Sequence, residues 1–294
     1  MAIQGIPGRK ADLGEGTAVR RLLPTRGRRL VGPWCFLDHY GPDPVQGPGM
    51  ALGPHPHIGL QTVSWLFEGE VLHRDSLGSE QLIRPGQLNL MTSARGIAHS
   101  EETPSSHGPR LHGAQLWVAL PEEARHGAPA FEHIAELPQE GFDSLRATVL
   151  MGSLAGIASP AKAFSPMVGA ELVADRDGLC RIPLDPAFEH AVAPIWGRAA
   201  IGGLPIEIGV IYTLAPGEAF LELRMEQGAR VLLLGGAPFP GPILMWWNFV
   251  ARSPEEMVEA REDWEAGRRF GVVDDGLPRI PAPPLDPSML RLRH

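Results

Sequence analysis

Residues 55–79 read HPHIGLQTVSWLFEGEVLHRDSLGS, and RPGQLNLMTSARGIAHSEE follows at 84–102. The apolar run at 62–67, TVSWLF, fits a buried barrel strand. Working outward, similar short segments occupy 30–36, 87–91 and 114–120, separated by turn clusters such as GPDPVQGPG at 41–49. Evenly spaced short runs with Gly and Pro punctuation imply an antiparallel sandwich or barrel. The stretch 121–141, PEEARHGAPAFEHIAELPQEG, is polar and turn-rich and reads as a connection. A second β series follows at 145–150, 206–213, 219–224 and 229–234, without a strong internal repeat. Two series of similar size predict two domains, 1–135 and 136–294.

Composition supports this reading. At about 150 residues per domain, 294 residues suggest two. The chain is 44% hydrophobic and 20% charged, as globular proteins are. Its 35 glycines and 30 prolines favour many turns over long helices. One helix is still expected. Ser253 can cap it, Pro254 suits its first position, Glu256 completes a capping box, and Met257, Ala260 and Trp264 share one face before Gly267. A net charge of −8 excludes the broad basic footprint of a nucleic-acid reader. Two cysteines, Cys35 and Cys180, cannot build a disulfide framework, and Cys35 is expected as a buried thiol. The most apolar stretch, 231–247, is broken by Pro238, Pro240 and Pro242, and residues 1–16 lack the apolar core of an export signal. A cytoplasmic protein with no membrane partner is the expectation.

Nine of the 11 histidines lie between His39 and His133. Two pairs stand out, His55-Pro56-His57 and His99-Ser100-Glu101. With i, i+2 spacing on a strand, both side chains of a pair face one way. Two such strands can aim three imidazoles and one carboxylate at a common point, a set suited to a divalent transition metal with two coordination positions left open. The same pairs can also be unrelated polar pairs on loops, so residue types alone leave both accounts standing.

The two quoted stretches together resemble the pirin family of the cupin superfamily. Residues 19–42, VRRLLPTRGRRLVGPWCFLDHYGP, resemble the family's N-terminus, and 115–121, QLWVALP, the strand that closes its first domain. Residues 245–270 are similar to the C-terminal segment of bacterial, quercetinase-like members. The resemblance implies an all-β bicupin: two antiparallel jelly-roll barrels facing each other, plus the short C-terminal helix. Only the N-terminal barrel would hold a metal, through His55, His57, His99 and Glu101. The later half offers a single histidine between residues 134 and 293, His190, which agrees with a metal-free second barrel. One divalent ion is implied, iron first, with Mn, Cu, Ni, Co or Zn also compatible with the donors.

Two positions depart from the pattern. Ile58 stands where many pirins carry arginine, which makes the pocket rim less cationic. Gln61 stands where the general cupin motif places a glutamate ligand, and could orient a ligand or water instead. His73 is placed near the pocket as a proton shuttle or substrate donor, or else as a packed residue bonded to backbone. Glu101 is the candidate catalytic group, able to serve as a base if it swings off the metal, while Glu102 should point away. His107, His112, His126 and His133 are expected at the surface, His39 as a brace, and Trp65, Trp117, Trp246 and Trp247 in core or inter-domain packing. The arginines of 19–29 are expected on a solvated edge strand.

Two functions follow from the resemblance. One is a metal-dependent dioxygenase of the quercetin 2,3-dioxygenase type, acting as a monomer on a flavonol-like aromatic. The other is a non-enzymatic, iron-binding regulator that works through a protein partner, without direct nucleic-acid contact.

Overall fold

The run at 62–67 forms the middle of the strand Leu60–Glu68, whose first seven residues are all buried. Burial on both faces explains why that run carries no charged residue. A computed structural model of the chain describes residues 2–13, 17–45 and 49–290; His294, residues 14–16 and part of the 41–49 turn cluster lie outside them. Among the described residues the regular structure is β apart from one α-helix, Pro254–Glu265, and a 3-10 turn at Pro287–Met289. No helix among the described residues is long and apolar enough to cross a membrane.

The chain divides into two compact units. The unit that carries the histidine pairs comprises Ala11–Val19, Tyr40–His133 and Pro240–His294. A four-stranded sheet in it runs in the order Ala51–His57, Ile97–Glu102, Val71–Asp75, Glu80–Ile83. A seven-stranded sheet runs in the order Ala130–Ile134, Leu88–Thr92, Leu60–Glu68, Arg110–Ala119, Trp34–Pro44, Thr17–Leu23, Arg9–Leu13. Buried Tyr40, Leu66 and Leu111 from the larger sheet join Leu52, Val71 and Ile83 from the smaller in one cluster. The two ladders do not close into a continuous barrel. Side-chain packing between sheets closes the cupin jelly roll instead.

The other unit comprises Met1–Lys10, Arg20–His39 and Ile134–Phe239. It repeats the plan with an eight-stranded and a four-stranded sheet. Between them lie fully buried Val149, Leu172, Ile182, Leu223 and Leu233, each contributing about 1.5–3 kcal/mol by leaving water. The fold is therefore all-β with two cupin domains, as the sequence implies.

The division differs from a single cut at 135/136. Residues Ile3–Pro7 pair antiparallel with Val210–Leu214, and Trp34 donates its indole N–H to the Val168 carbonyl at 3.0 Å, so Met1–Lys10 and Arg20–His39 group with Ile134–Phe239. Residues 240–294 return to the earlier unit. There Val250 N–H donates to Ile58 O at 3.1 Å, Ala98 N–H to Phe270 O at 3.1 Å and Ile280 N–H to Pro54 O at 2.9 Å.

The helix forms as its sequence specifies. Ser253 is the N-cap, its side chain accepts from Glu256 N–H, and Met257, Ala260 and Trp264 are buried. Trp246 and Trp247 pack beside Phe249 in that same returning segment. The strand Thr17–Leu23 is not an edge, because Arg9–Leu13 lies outside it. Its Arg21 forms a two-point pair with buried Asp38, at 2.8 and 2.6 Å. His112, expected at the surface, is buried with its ring 4.8 Å from that of Phe67. Both cysteines are buried thiols outside any disulfide.

Candidate metal centre

The strand Ile97–Glu102 organises the site because it is paired on both sides. Against Ala51–His57 its His99 faces His55, with a bulge between His99 and Glu101; against Val71–Asp75, His99 faces Asp75 and Glu101 faces His73. Directly opposed residues of antiparallel strands share a sheet face. The i, i+2 pairs on three neighbouring strands therefore converge, and His55, His57, His73, His99 and Glu101 are all buried.

Backbone carbonyls fix two of the rings. His55 Nδ1 lies 2.9 Å from Gly53 O, and His57 Nδ1 lies 3.1 Å from Asn248 O. A carbonyl only accepts, so each ring carries its proton on Nδ1 and presents a lone pair at Nε2. His57 Nε2 stands 3.1 Å from His99 Nε2. Two nitrogens bound at right angles to one ion at roughly 2.1 Å would lie about 3.0 Å apart. Burial lowers the pKa of His55 to about 4, against the opposing pull of the Gly53 carbonyl. Burial also puts His57 and His99 well below the usual histidine range, and the neighbouring His55 ring adds to it. Neutral, converging imidazoles are the form a metal requires. The donor chemistry fits a divalent transition ion.

Ligand-capable atoms fall into two overlapping sets, His55/His57/His99 and His73/His99/Glu101, each with all its atoms within 4.8 Å of one another. Glu101 thus sits in the same buried cluster as the three histidines but toward the His73 side. Burial pushes its carboxyl pKa up, while His73 and the Ser64 hydroxyl act in the opposite direction. Ser64 Oγ lies 3.2 Å from Glu101 Oε1 and 3.0 Å from Gln115 Oε1.

Gln61 is placed differently from its expected role. It alternates with Ser64 on Leu60–Glu68 and so lies on the opposite face, where its amide donates to Thr92 Oγ1 at 2.9 Å. Ser64 and Gln115 occupy the orienting position that sequence reading gave to Gln61. Ile58 is buried in the apolar cluster with Ala98 and Phe249 and also lines a cavity beside Arg125 and Arg269. Sequence reading missed Asn248, whose carbonyl acts from 191 residues away. It also assigned Trp117 to packing alone, whereas its ring stands edge-on to His57 at 5.3 Å. Glu102 points away and pairs with Arg74.

Comparison with known proteins agrees with this architecture. The family model Pirin matches residues 16–118, and Pirin C-terminal cupin domain matches 170–271. A provisionally named quercetin 2,3-dioxygenase of Pseudomonas aeruginosa is 48% identical over 287 residues, covering 96% of this chain and 90% of its own. A pirin-like protein of Caulobacter vibrioides is 39% identical, covering 88% and 92%. The crystal structure of a quercetin 2,3-dioxygenase from Acinetobacter baumannii superposes with a TM-score of 0.95 at 45% identity, covering 99% of this chain and 97% of that one. With matches across both halves and through the two histidine motifs, the chain belongs to the pirin family.

Proposed function

We propose that the protein is a metal-dependent dioxygenase of the quercetin 2,3-dioxygenase type, opening a flavonol-like substrate with O2. The observation that carries this reading is the close, buried approach of His57 Nε2 and His99 Nε2, beside His55 and Glu101. His55, His57, His99 and Glu101 are the ligands on this reading, and iron is the first assignment among Fe, Mn, Cu, Ni, Co and Zn. When bound, the ion supplies Lewis-acid polarisation of the substrate's enolic hydroxyl and a redox route to dioxygen.

The chain's own groups do the rest. Glu101, if it swings off the ion, is the buried carboxylate placed to take the proton that the substrate hydroxyl gives up. Ser64 hydrogen-bonds to Glu101 Oε1 and sets the orientation of that carboxyl. Trp117 beside His57 and Phe131 against His73 set aromatic rings next to the histidines, a surrounding that suits a planar aromatic substrate. In the overall reaction both oxygen atoms of O2 enter the products: the central ring opens to a carboxylate ester and one carbon leaves as carbon monoxide. The names carried by the Pseudomonas and Acinetobacter relatives support this substrate class. On this reading the protein works as a cytoplasmic monomer, without a nucleic-acid or membrane partner.

Reconstitution with each metal, followed by flavonol absorbance and an oxygen electrode, tests the reading. Quercetin and O2 should disappear together, and Glu101→Gln should slow turnover far more than Gln61→Ala, whose side chain faces away. Failure of every metal form to consume quercetin would overturn the enzyme reading in favour of a metal-binding regulator with a protein partner.

A further inference from the structure

His99 differs from the other two histidines in what meets its second ring nitrogen. His55 and His57 turn Nδ1 to main-chain carbonyls, whereas His99 Nδ1 lies 3.3 Å from His73 Nδ1. His73 Nε2 in turn lies 3.2 Å from Asp75 Oδ2. The other carboxylate oxygen, Asp75 Oδ1, accepts from Leu77 N–H at 2.8 Å and Ser79 N–H at 3.1 Å, which anchors it to the turn that follows. A carboxylate only accepts, so a neutral His73 keeps its proton on Nε2 and offers a lone pair at Nδ1. The 3.3 Å contact is then made by His99 donating from Nδ1, which leaves the lone pair of His99 Nε2 facing His57 Nε2. Phe131 stacks on the His73 ring at 4.4 Å and 13°, fixing its plane.

We infer that Asp75 and His73 form a tether that sets the tautomer and ring orientation of His99 and so tunes metal affinity at the site. This rests on the assignment of His99 as a ligand in the proposed function. Both tether residues are buried, and the strand register sets Asp75 opposite His99, so the relay is built into the sheet. A second ion held by His73, His99 and Glu101 is the competing use of the same atoms. It would need lone pairs at both nitrogens of His99, which a neutral imidazole does not have.

Zn2+ affinity of the full-length protein, measured by competition with a chromophoric chelator, tests the tether. His73→Leu, which removes the acceptor, should weaken binding by roughly 10- to 100-fold, while His73→Gln, whose amide oxygen can accept from His99, should stay within about threefold of wild type. Nitrogen-15 NMR of the Zn2+-loaded wild type needs no variant: His99 should carry its proton on Nδ1 and His73 on Nε2. Unchanged affinity in His73→Leu, equal losses in both variants, a His73 proton on Nδ1, or two Zn2+ per chain would each overturn the tether. The ligand assignment fails separately, if His99→Ala binds Zn2+ as wild type does.

Discussion

Gly59 follows the His55/His57 pair at φ +70°, and a Cβ built there would lie 2.0 Å from the Val250 carbonyl oxygen. Gly53 precedes the pair, and its Cβ would lie 2.1 Å from Pro278 O. The returning C-terminal segment therefore presses its backbone against both ends of the strand that carries two donors. Gly59→Ala should destabilise the protein by at least about 1–3 kcal/mol from the left-handed backbone alone, before the clash with Val250 is added. A denaturant midpoint equal to wild type would contradict that. The clustering of the His/Glu pairs was legible at this scale, because i, i+2 spacing on a strand turns both side chains of a pair one way. Ser64, Gln115, Trp117 and Asn248 were not. Serine, glutamine and tryptophan recur throughout the chain, and Asn248 acts through its backbone carbonyl, which no residue type announces.

Among the elements, the helix Pro254–Glu265 was the clearest in the sequence, because capping is written in adjacent residues. Ser253→Ala should lower stability by about 1 kcal/mol, read from a chemical denaturation curve; no change would mean the cap is made elsewhere. The strand Glu189–Trp196 gives a pH prediction. His190 is buried there, its Nε2 meets no hydrogen-bond partner among the described residues, and burial lowers its pKa against the opposing charge of Asp185. The unfolded chain takes up this proton near pH 6.5, whereas the folded protein resists it to lower pH. Below that pH the unfolded state binds more protons, so stability falls as pH drops through 6.5 toward the folded pKa. His190→Leu should lose less stability than wild type between pH 7.5 and 5.5, measured by urea midpoints. Equal losses would contradict the assignment. The arginines of 19–29 show the limit of reading one strand at a time. Of these only Arg20 and Arg21 lie on the strand Thr17–Leu23, whose place inside the sheet depends on Arg9–Leu13 pairing beyond it, and Arg21 finds Asp38 only through that fold.

For the whole molecule, two β series separated by a polar connection were readable from turn spacing, and two cupin domains resulted. The division between units was not readable, because it rests on long-range pairing of Ile3–Pro7 with Val210–Leu214 and on the return of residues 240–294. A chain truncated after Phe239 should lose metal retention, since Asn248 O holds His57 and Phe270 O holds Ala98; metal content equal to full length would contradict this. On the proposed reading, one divalent ion sits among His55, His57, His99 and Glu101. Anomalous diffraction from a crystal of the metal-loaded protein, collected at the absorption edge of its ion, locates that ion. It should show a single peak per chain, with ligand bonds of roughly 2.0–2.2 Å to Nε2 of the three histidines and to a Glu101 carboxylate oxygen. A peak centred on His73, a second peak in the other unit, or none near these residues would contradict it.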